Sequence, residues 1–243
     1  MVAEQGIELS LIVPVYNEEE NLQALFNEIF VVMDALARPW EVIFVDDGSS
    51  DASLKVIHNL ATQHSVVRYL SFAKNCGQSA AFGAGFRHAC GQYCITMDAD
   101  LQNDPADIPA MLGLLQSEDC QMVIGWRAKR QDTFAKRFAS KIANTVRNAM
   151  SNETVKDTGC SLKIMQTDLA RRLPTYIGMH RFLPTLMKME GAKVTEIKVN
   201  HRARLHGTSK YGTFARAKTA FFDLLAVRWM QKRHVRVEIK EQK

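Results

Sequence analysis

Short apolar runs, each followed by a polar cluster and then by apolar residues at helical spacing, restrict the fold of this chain more than any other feature. Residues 9–15, LSLIVPV, read as a strand; the polar stretch Tyr16 to Asn21 follows, and Leu22, Leu25, Phe26, Ile29 and Met33 then mark one helix face. The second unit has Trp40 to Val45 as strand, Asp46-Asp47-Gly48-Ser49-Ser50-Asp51 as turn, and Leu54, Ile57, Leu60 and Ala61 as stripe. Val66 to Phe72 is a third strand, leading through Asn75-Cys76-Gly77 into a small-residue helix over 79–90. Tyr93 to Met97 is a fourth, running into Asp98-Ala99-Asp100-Leu101-Gln102-Asn103-Asp104-Pro105; Met111, Leu112 and Leu115 mark the next helix and Met122 to Ile124 the next strand. This alternation predicts an α/β, Rossmann-like fold, a mostly parallel sheet with helices on both faces. The polar clusters fall after strand C-termini, the edge where open α/β sheets bind ligands.

Beyond residue 127 the pattern changes to a basic helical region over 132–150, a loop over 151–160, a short strand at Ser161 to Met165 and further helical stretches. Lys193 to Asn200 alternates like a strand, 202–212 is a basic loop, and 213–233 is a final helix. With no internal repeat or low-complexity linker, the division expected is one domain over 1–212 and a basic amphipathic appendage over 213–243. In that last helix Phe214, Ala217, Phe221, Leu224, Leu225 and Trp229 fall near one stripe, with Arg216, Lys218, Arg228, Lys232 and Arg233 largely around it. Such a helix lies in a membrane interface or packs on the catalytic core or a second copy.

Charge supports an anionic partner for this end of the chain. Residues 201–243 carry 11 Lys/Arg against 3 Asp/Glu, whereas residues 1–200 carry 20 against 23. The N-terminal sequence lacks a basic segment followed by an apolar run of about 7 to 15 residues, so no signal peptide is expected. No stretch approaches the roughly 18 apolar residues of a transmembrane span. The five cysteines are scattered, without a C-x-x-C pair. Together these features predict a protein of the reducing cytoplasm, peripheral to a membrane at most.

The most informative segment is Asp98-Ala99-Asp100, two carboxylates on alternate residues where an apolar strand ends. Two hard oxygen donors on one side suit Mg²⁺ or Mn²⁺, whose other positions diphosphate oxygens and water can fill. Taken alone, so short and common a pair reads rather as a polar turn ending at Pro105. Asp46 and Asp47 fall on the same edge, where a carboxylate can accept hydrogen bonds from a base or ribose, while Ser50 or Asp51 caps the next helix. Six histidines show no metal-ligand spacing and read as surface or core residues; His206 is set apart only by its loop. Gly83-Ala84-Gly85 lacks a third motif glycine and lies within a helix, which excludes a dinucleotide fingerprint.

In order and spacing, Val13-Pro14-Val15-Tyr16-Asn17-Glu18, Asp46 to Asp51, Asn75-Cys76-Gly77, Asp98 to Gln102 and Gly125-Trp126-Arg127 resemble family 2 glycosyltransferases of the GT-A fold. The likeness, spanning roughly residues 9–212, is greatest to the polyprenyl-phosphate branch, which includes dolichyl-phosphate mannose synthase and bactoprenol glucosyltransferases. It implies a metal-dependent inverting transfer of a sugar from a nucleotide diphosphate sugar, GDP-mannose or a UDP-sugar, to dolichyl or undecaprenyl phosphate at the cytoplasmic membrane face. It also implies that Pro14, Tyr16 and Glu18 line the nucleotide pocket with Asp46 or Asp47 near the base or ribose, and that Asp98, Asp100 and Gln102 hold Mg²⁺ or Mn²⁺ and the donor diphosphate. Arg127 and Ser140 would face the acceptor phosphate. The family often has an arginine four residues before that serine, where this chain has Lys136 with Arg137 beside it. Arg204 to Lys210 matches a loop, R-x-x-G-x-S-K, that closes over the diphosphate, so Arg204 and Lys210 would assist the leaving group. Asp157 falls where other members place a general base; a phosphate acceptor is already anionic and needs none, so an orienting role is expected for it. A saccharide-hydroxyl acceptor, with Asp157 as base, and a non-catalytic nucleotide- or polyanion-binding module are the alternatives. No nucleic-acid partner is expected on the leading reading, and homo-oligomerisation stays open.

Overall fold

The computed structural model describes residues 6–128, 154–203 and 213–235; within 213–220 it defines the helical backbone only. The expected helix over 132–150, with Lys136 and Ser140, and the loop carrying Arg204 and Lys210 lie outside the described residues.

Seven strands form one sheet in the order β3-β2-β1-β4-β6-β5-β7. They are β1 (Leu9–Val15), β2 (Trp40–Asp46), β3 (Val67–Ser71), β4 (Tyr93–Thr96), β5 (Met122–Trp126), β6 (Lys163–Gln166) and β7 (Val194–Lys198). All neighbouring pairs are parallel except the two that β6 makes, with β4 and with β5. Helices α1 (Leu22–Ala35), α2 (Ser53–Gln63), α3 (Gln78–His88), α4 (Ile108–Ser117), α5 (Thr167–Arg172), α6 (Leu183–Met189) and α7 (Thr213–Arg233) connect and cover these strands.

The strand period of two divides the core. Leu9, Leu11, Val13 and Val15 of β1, with Val42 and Phe44 of β2, pack against α1, α2 and α4. Ile12, Ile43, Val45 and Cys94 face the opposite way, into a second cluster with α3, α5, α6 and α7. On α1 the buried residues are Leu22, Leu25, Phe26, Ile29 and Met33, the stripe expected from the sequence. Pro14 falls beyond Ile12, the last β1 residue paired with β4, so its missing amide breaks no ladder bond there.

The last helix departs from the single stripe expected. Leu224 and Val227 are buried in the second cluster with Met230 packed alongside. Phe221, Phe222, Leu225 and Trp229 instead stand exposed, Trp229 at 64%. Apolar residues therefore occupy two faces of α7, one docking the helix and one turned to solvent. No helix among the described residues is long and apolar enough to cross a membrane.

All five cysteines are free; Cys94, Cys120 and Cys160 are buried, and Cys76 and Cys90 are exposed. Burial pushes the Cys94 thiol up to about 12. A thiol-reactive disulfide reagent should modify Cys76 and Cys90 in the native protein and the other three only on unfolding, since the thiolate is the nucleophile and burial disfavours it. Equal rates at all five would contradict this packing.

Candidate active site

Strand order places the site. The chain winds from β1 through β2 to β3 on one side, then returns to lay β4 on the other side of β1, so a crevice opens where these connections diverge, at the C-terminal ends of β1 and β4. Tyr16 to Glu18 and Asp98 to Gln102 follow those two strands directly.

On the β1 side, the loop after the strand is stitched to the turn after β2. Asn17, at φ 55°, donates its amide to Ser49 Oγ at 3.0 Å and accepts from Ser50 N through its side chain at 2.8 Å. Glu18 N donates to Ser53 Oγ, and Glu18 Oε2 accepts from Asn21 Nδ2 at 2.7 Å. Asp51 accepts from Ser53 N and Glu19 N. Burial raises its carboxyl, but these bonds and the Ser53 hydroxyl outweigh that and hold it below the usual value.

Asp46 and Asp47 turn inward. Asp46 accepts from Ser49 N at 3.2 Å and from Ser71 Oγ at 3.0 Å. Asp47 accepts from Cys76 N at 2.6 Å and Gly77 N at 2.8 Å, fixing the start of α3. Burial raises the Asp47 carboxyl above its ordinary value against these amides, and Asp46 beside it raises it further. Gly48 completes the contact: at φ +70° it lies against the same segment, and a Cβ would sit 2.6 Å from the Lys74 carbonyl carbon. Gly48→Ala should therefore cost about 1–3 kcal/mol of stability through backbone strain and collision; thermal unfolding unchanged from the parent would refute that contact.

On the β4 side, Asp98 Oδ1 accepts from Gln78 Nε2 at 2.6 Å, and Asp100 Oδ1 accepts from Gln102 N at 3.2 Å. Leu101, between Asp100 and Gln102, adopts φ 59°, a strained setting for a side chain with a Cβ, and is itself buried. Asn103 pins the loop from behind, accepting from Asp98 N and from Ser161 Oγ, the latter at 2.6 Å. Burial, and then the neighbouring Asp100 charge, raise the Asp98 carboxyl; Ser161, Lys163 and Arg127 pull it back.

No group of three His, Cys, Asp or Glu side chains converges on a metal position among the described residues. The fit is to a cation held by two carboxylates with Gln102 as a further oxygen donor, its remaining positions going to phosphate and water oxygens, as Mg²⁺ and Mn²⁺ accept. Gln102 Nε2 is turned to the Arg202 carbonyl at 3.4 Å.

Arg127 and Asp157, predicted separately, form one buried ion pair. Asp157 Oδ2 accepts from Arg127 Nε at 2.7 Å and Oδ1 from Nη2 at 2.9 Å, while the Arg127 backbone amide also reaches Oδ2. Their side chains are 14% and 9% exposed. Burial works against the Arg127 charge, but Asp157 outweighs it and the guanidinium is held more firmly protonated.

Several contributors escaped the sequence reading. Gln78 reaches Asp98, and Ser79 Oγ meets His180 Nδ1 at 2.8 Å. Ser79 Oγ also accepts from the amides of Gly178 and His180, so one hydroxyl ties the start of α3 to that segment. His180, read from the sequence as an ordinary surface or core residue, thus stands beside the entry to α3. Arg202 donates its amide to Gln102 O and its guanidinium to Glu28 and Asp104 at 2.6 and 2.8 Å, fastening its segment onto the loop that carries Asp98 and Asp100. No local motif marks these side chains.

A switch-point crevice with the loops after β1 and β2 on one side and, on the other, D-x-D after β4 and the Arg127–Asp157 pair after β5 is the arrangement of a GT-A glycosyltransferase. Glycosyl transferase family 2 matches residues 10–173, and the chain belongs to that family. Among curated proteins it is 37% identical over 227 residues to dodecaprenyl-phosphate galacturonate synthase of Rhizobium johnstonii, covering 92% of this chain and 67% of that one. It is 35% identical over 220 residues to the undecaprenyl-phosphate 4-deoxy-4-formamido-L-arabinose transferase of Pectobacterium carotovorum subsp. carotovorum, covering 89% and 66%. The chain thus spans about two thirds of the length of these relatives. A crystal structure of glucosyl-3-phosphoglycerate synthase from Mycobacterium tuberculosis, with Mn²⁺, UDP-glucose and phosphoglyceric acid, has the same fold at TM-score 0.70 and 18% identity, over 92% of this chain and 80% of that one. So does a mannosyltransferase from Pyrobaculum calidifontis with GDP-mannose and Mn²⁺, at TM-score 0.64 and 18% identity over 98% and 67%.

Proposed function

We propose that the protein transfers one sugar, with inversion, from a nucleotide diphosphate sugar to a polyprenyl phosphate. The observation that carries this reading is the bidentate Arg127–Asp157 pair standing within electrostatic range of Asp98 at the same sheet edge. An acceptor hydroxyl would require a base, and both Asp157 oxygens are engaged by Arg127, which favours an acceptor that arrives already anionic. The curated relatives named above carry polyprenyl phosphates in their names, which supports the same acceptor class.

In this mechanism Pro14, Tyr16 and Glu18 line the nucleotide pocket. Asp46 and Asp47, 1% and 3% exposed, hold its wall through their bonds to Ser49, Ser71, Cys76 and Gly77. Asp98, Asp100 and Gln102 hold the divalent cation, which when bound supplies Lewis-acid charge to the diphosphate. Arg127, oriented by Asp157, directs its remaining N–H groups to the acceptor phosphate, whose oxygen attacks the anomeric carbon as the bond to the diphosphate breaks. Lys136 and Ser140 on the acceptor, and Arg204 and Lys210 on the leaving diphosphate, extend the reading to residues outside those described. Either Mg²⁺ or Mn²⁺ fits the donor set; the Mn²⁺ in the related folds favours testing manganese first.

The site of action in this proposal is the cytoplasmic face of a membrane, reached peripherally. The solvent-facing ridge of Phe221, Phe222, Leu225 and Trp229, with Arg228, Lys232 and Arg233 on the same helix, suits the boundary between headgroups and acyl chains. The partition coefficient onto vesicles of phosphatidylglycerol and phosphatidylethanolamine, measured by co-sedimentation, should fall at least about a hundredfold in a Phe222→Ser, Trp229→Ser double variant, because each large apolar side chain buried contributes about 1.5–3 kcal/mol. Undiminished sedimentation would remove this helix from the membrane contact.

A further inference from the structure

Lys163 is a buried charged residue that the mechanism above does not use. It lies in the interior strand β6 and is 3% exposed. Lysine is almost never buried so completely without a compensating partner, and an apolar residue would fill a central strand at less cost. Its register explains its reach. Lys163 stands opposite Thr96 of β4, two residues before Asp98, and opposite Ile124 of β5, three residues before Arg127. Its Nζ donates to the carbonyl of Cys160, in the turn that carries Asp157.

The side chain therefore underlies both halves of the site. Burial is the largest influence on the Lys163 ammonium and pushes it below its ordinary value; Cys160, Asp98 and Asp157 hold the charge against that, Arg127 adds to the lowering, and Lys163 acts in turn on Asp98. With Asp100 included, the cluster holds three carboxylates against two cations, so the site is close to balanced without a metal. Removing Lys163 leaves the carboxylates in clear excess.

We propose that Lys163 is a positioning residue whose fixed charge occupies the electrostatic role of the metal in the resting site, so that the divalent cation enters together with the nucleotide diphosphate rather than alone. The inference rests on the assignment of Asp98 and Asp100 as metal ligands. A lone cation entering the site meets the Lys163 charge. A cation accompanied by diphosphate brings the anionic oxygens that offset that charge and fill the open coordination positions.

The test is a titration of the full chain with Mn²⁺, followed by the electron paramagnetic resonance signal of free Mn²⁺, with and without UDP or GDP. Lys163→Gln keeps a donor for the Cys160 carbonyl and removes the charge; Lys163→Met removes both; Lys163→Arg keeps the charge. Both neutral variants should bind Mn²⁺ about tenfold more tightly without nucleotide, and added nucleotide should improve their affinity correspondingly less than it does in the parent. The arginine variant should stay within about twofold of the parent. A merely structural role predicts weaker binding in every variant, so tightening is the diagnostic sign. Unchanged or weaker nucleotide-free binding in whichever neutral variant retains the parental circular dichroism spectrum would overturn the role of Lys163, while loss of binding in Asp100→Ala would leave the metal assignment standing. If the parent binds no Mn²⁺ even with UDP or GDP, the metal assignment and this inference fall together.

Discussion

Asp100→Ala should lower sugar transfer by about a thousandfold, equivalent to about 4 kcal/mol of transition-state stabilisation, while the protein stays folded. The expected size follows from what this carboxylate does. On the proposed reading it is one of the two carboxylates on the cation, so its loss would halve the charged protein ligands of the metal that screens the departing diphosphate. Asp100 is 7% exposed, lies in a loop beyond β4, and accepts a hydrogen bond from the amide of Gln102. Loss of that bond should cost only about 0.5–1.5 kcal/mol of stability. Steady-state transfer and thermal unfolding measured on the same preparation separate the two effects. Undiminished turnover with Mn²⁺ present would remove Asp100 from the metal site.

The second large effect is expected at the Arg127–Asp157 pair. Asp157→Ala strands a buried guanidinium and should cost about 3–5 kcal/mol of stability, more than either residue would at the surface. Denaturant unfolding measures this directly. Arg127→Ala, Asp157→Ala as a double variant should recover part of the stability, because no buried charge is then left alone, and should recover none of the transfer if Arg127 holds the acceptor phosphate as proposed. Asp157→Asn is the sharper kinetic probe. If Asp157 orients Arg127, this variant raises KM for the lipid acceptor more than it lowers kcat; a collapse of kcat at unchanged KM would indicate proton abstraction.

The scaffold was more legible in the sequence than the site. β1 and the five buried residues of α1 follow from period and from the polar residues that bound them. The positions of the polar clusters at one edge follow from parallel topology. Sequence period does not reveal which lone pairs a carboxylate spends within the protein: Asp46 and Asp47 are committed to Ser49, Ser71, Cys76 and Gly77. Nor does it reveal partners separated by 20 to 101 residues, such as Gln78 with Asp98 or Ser79 with His180. The final helix was misread for a different reason. Leu224 and Val227 face the core while Phe221, Leu225 and Trp229 face out, and spacings of three and four merge two apolar faces into one apparent stripe.

The account is tested most directly by incubating the purified chain with Mn²⁺, a short polyprenyl phosphate and a panel of UDP- and GDP-sugars, and detecting the sugar-linked lipid by mass spectrometry. The predicted result is a glycosyl phosphate lipid from one donor of the panel, absent when metal is chelated and absent with Asp100→Ala. Donor consumption with the sugar released to water or joined to a saccharide, and no lipid product from any donor, would contradict it.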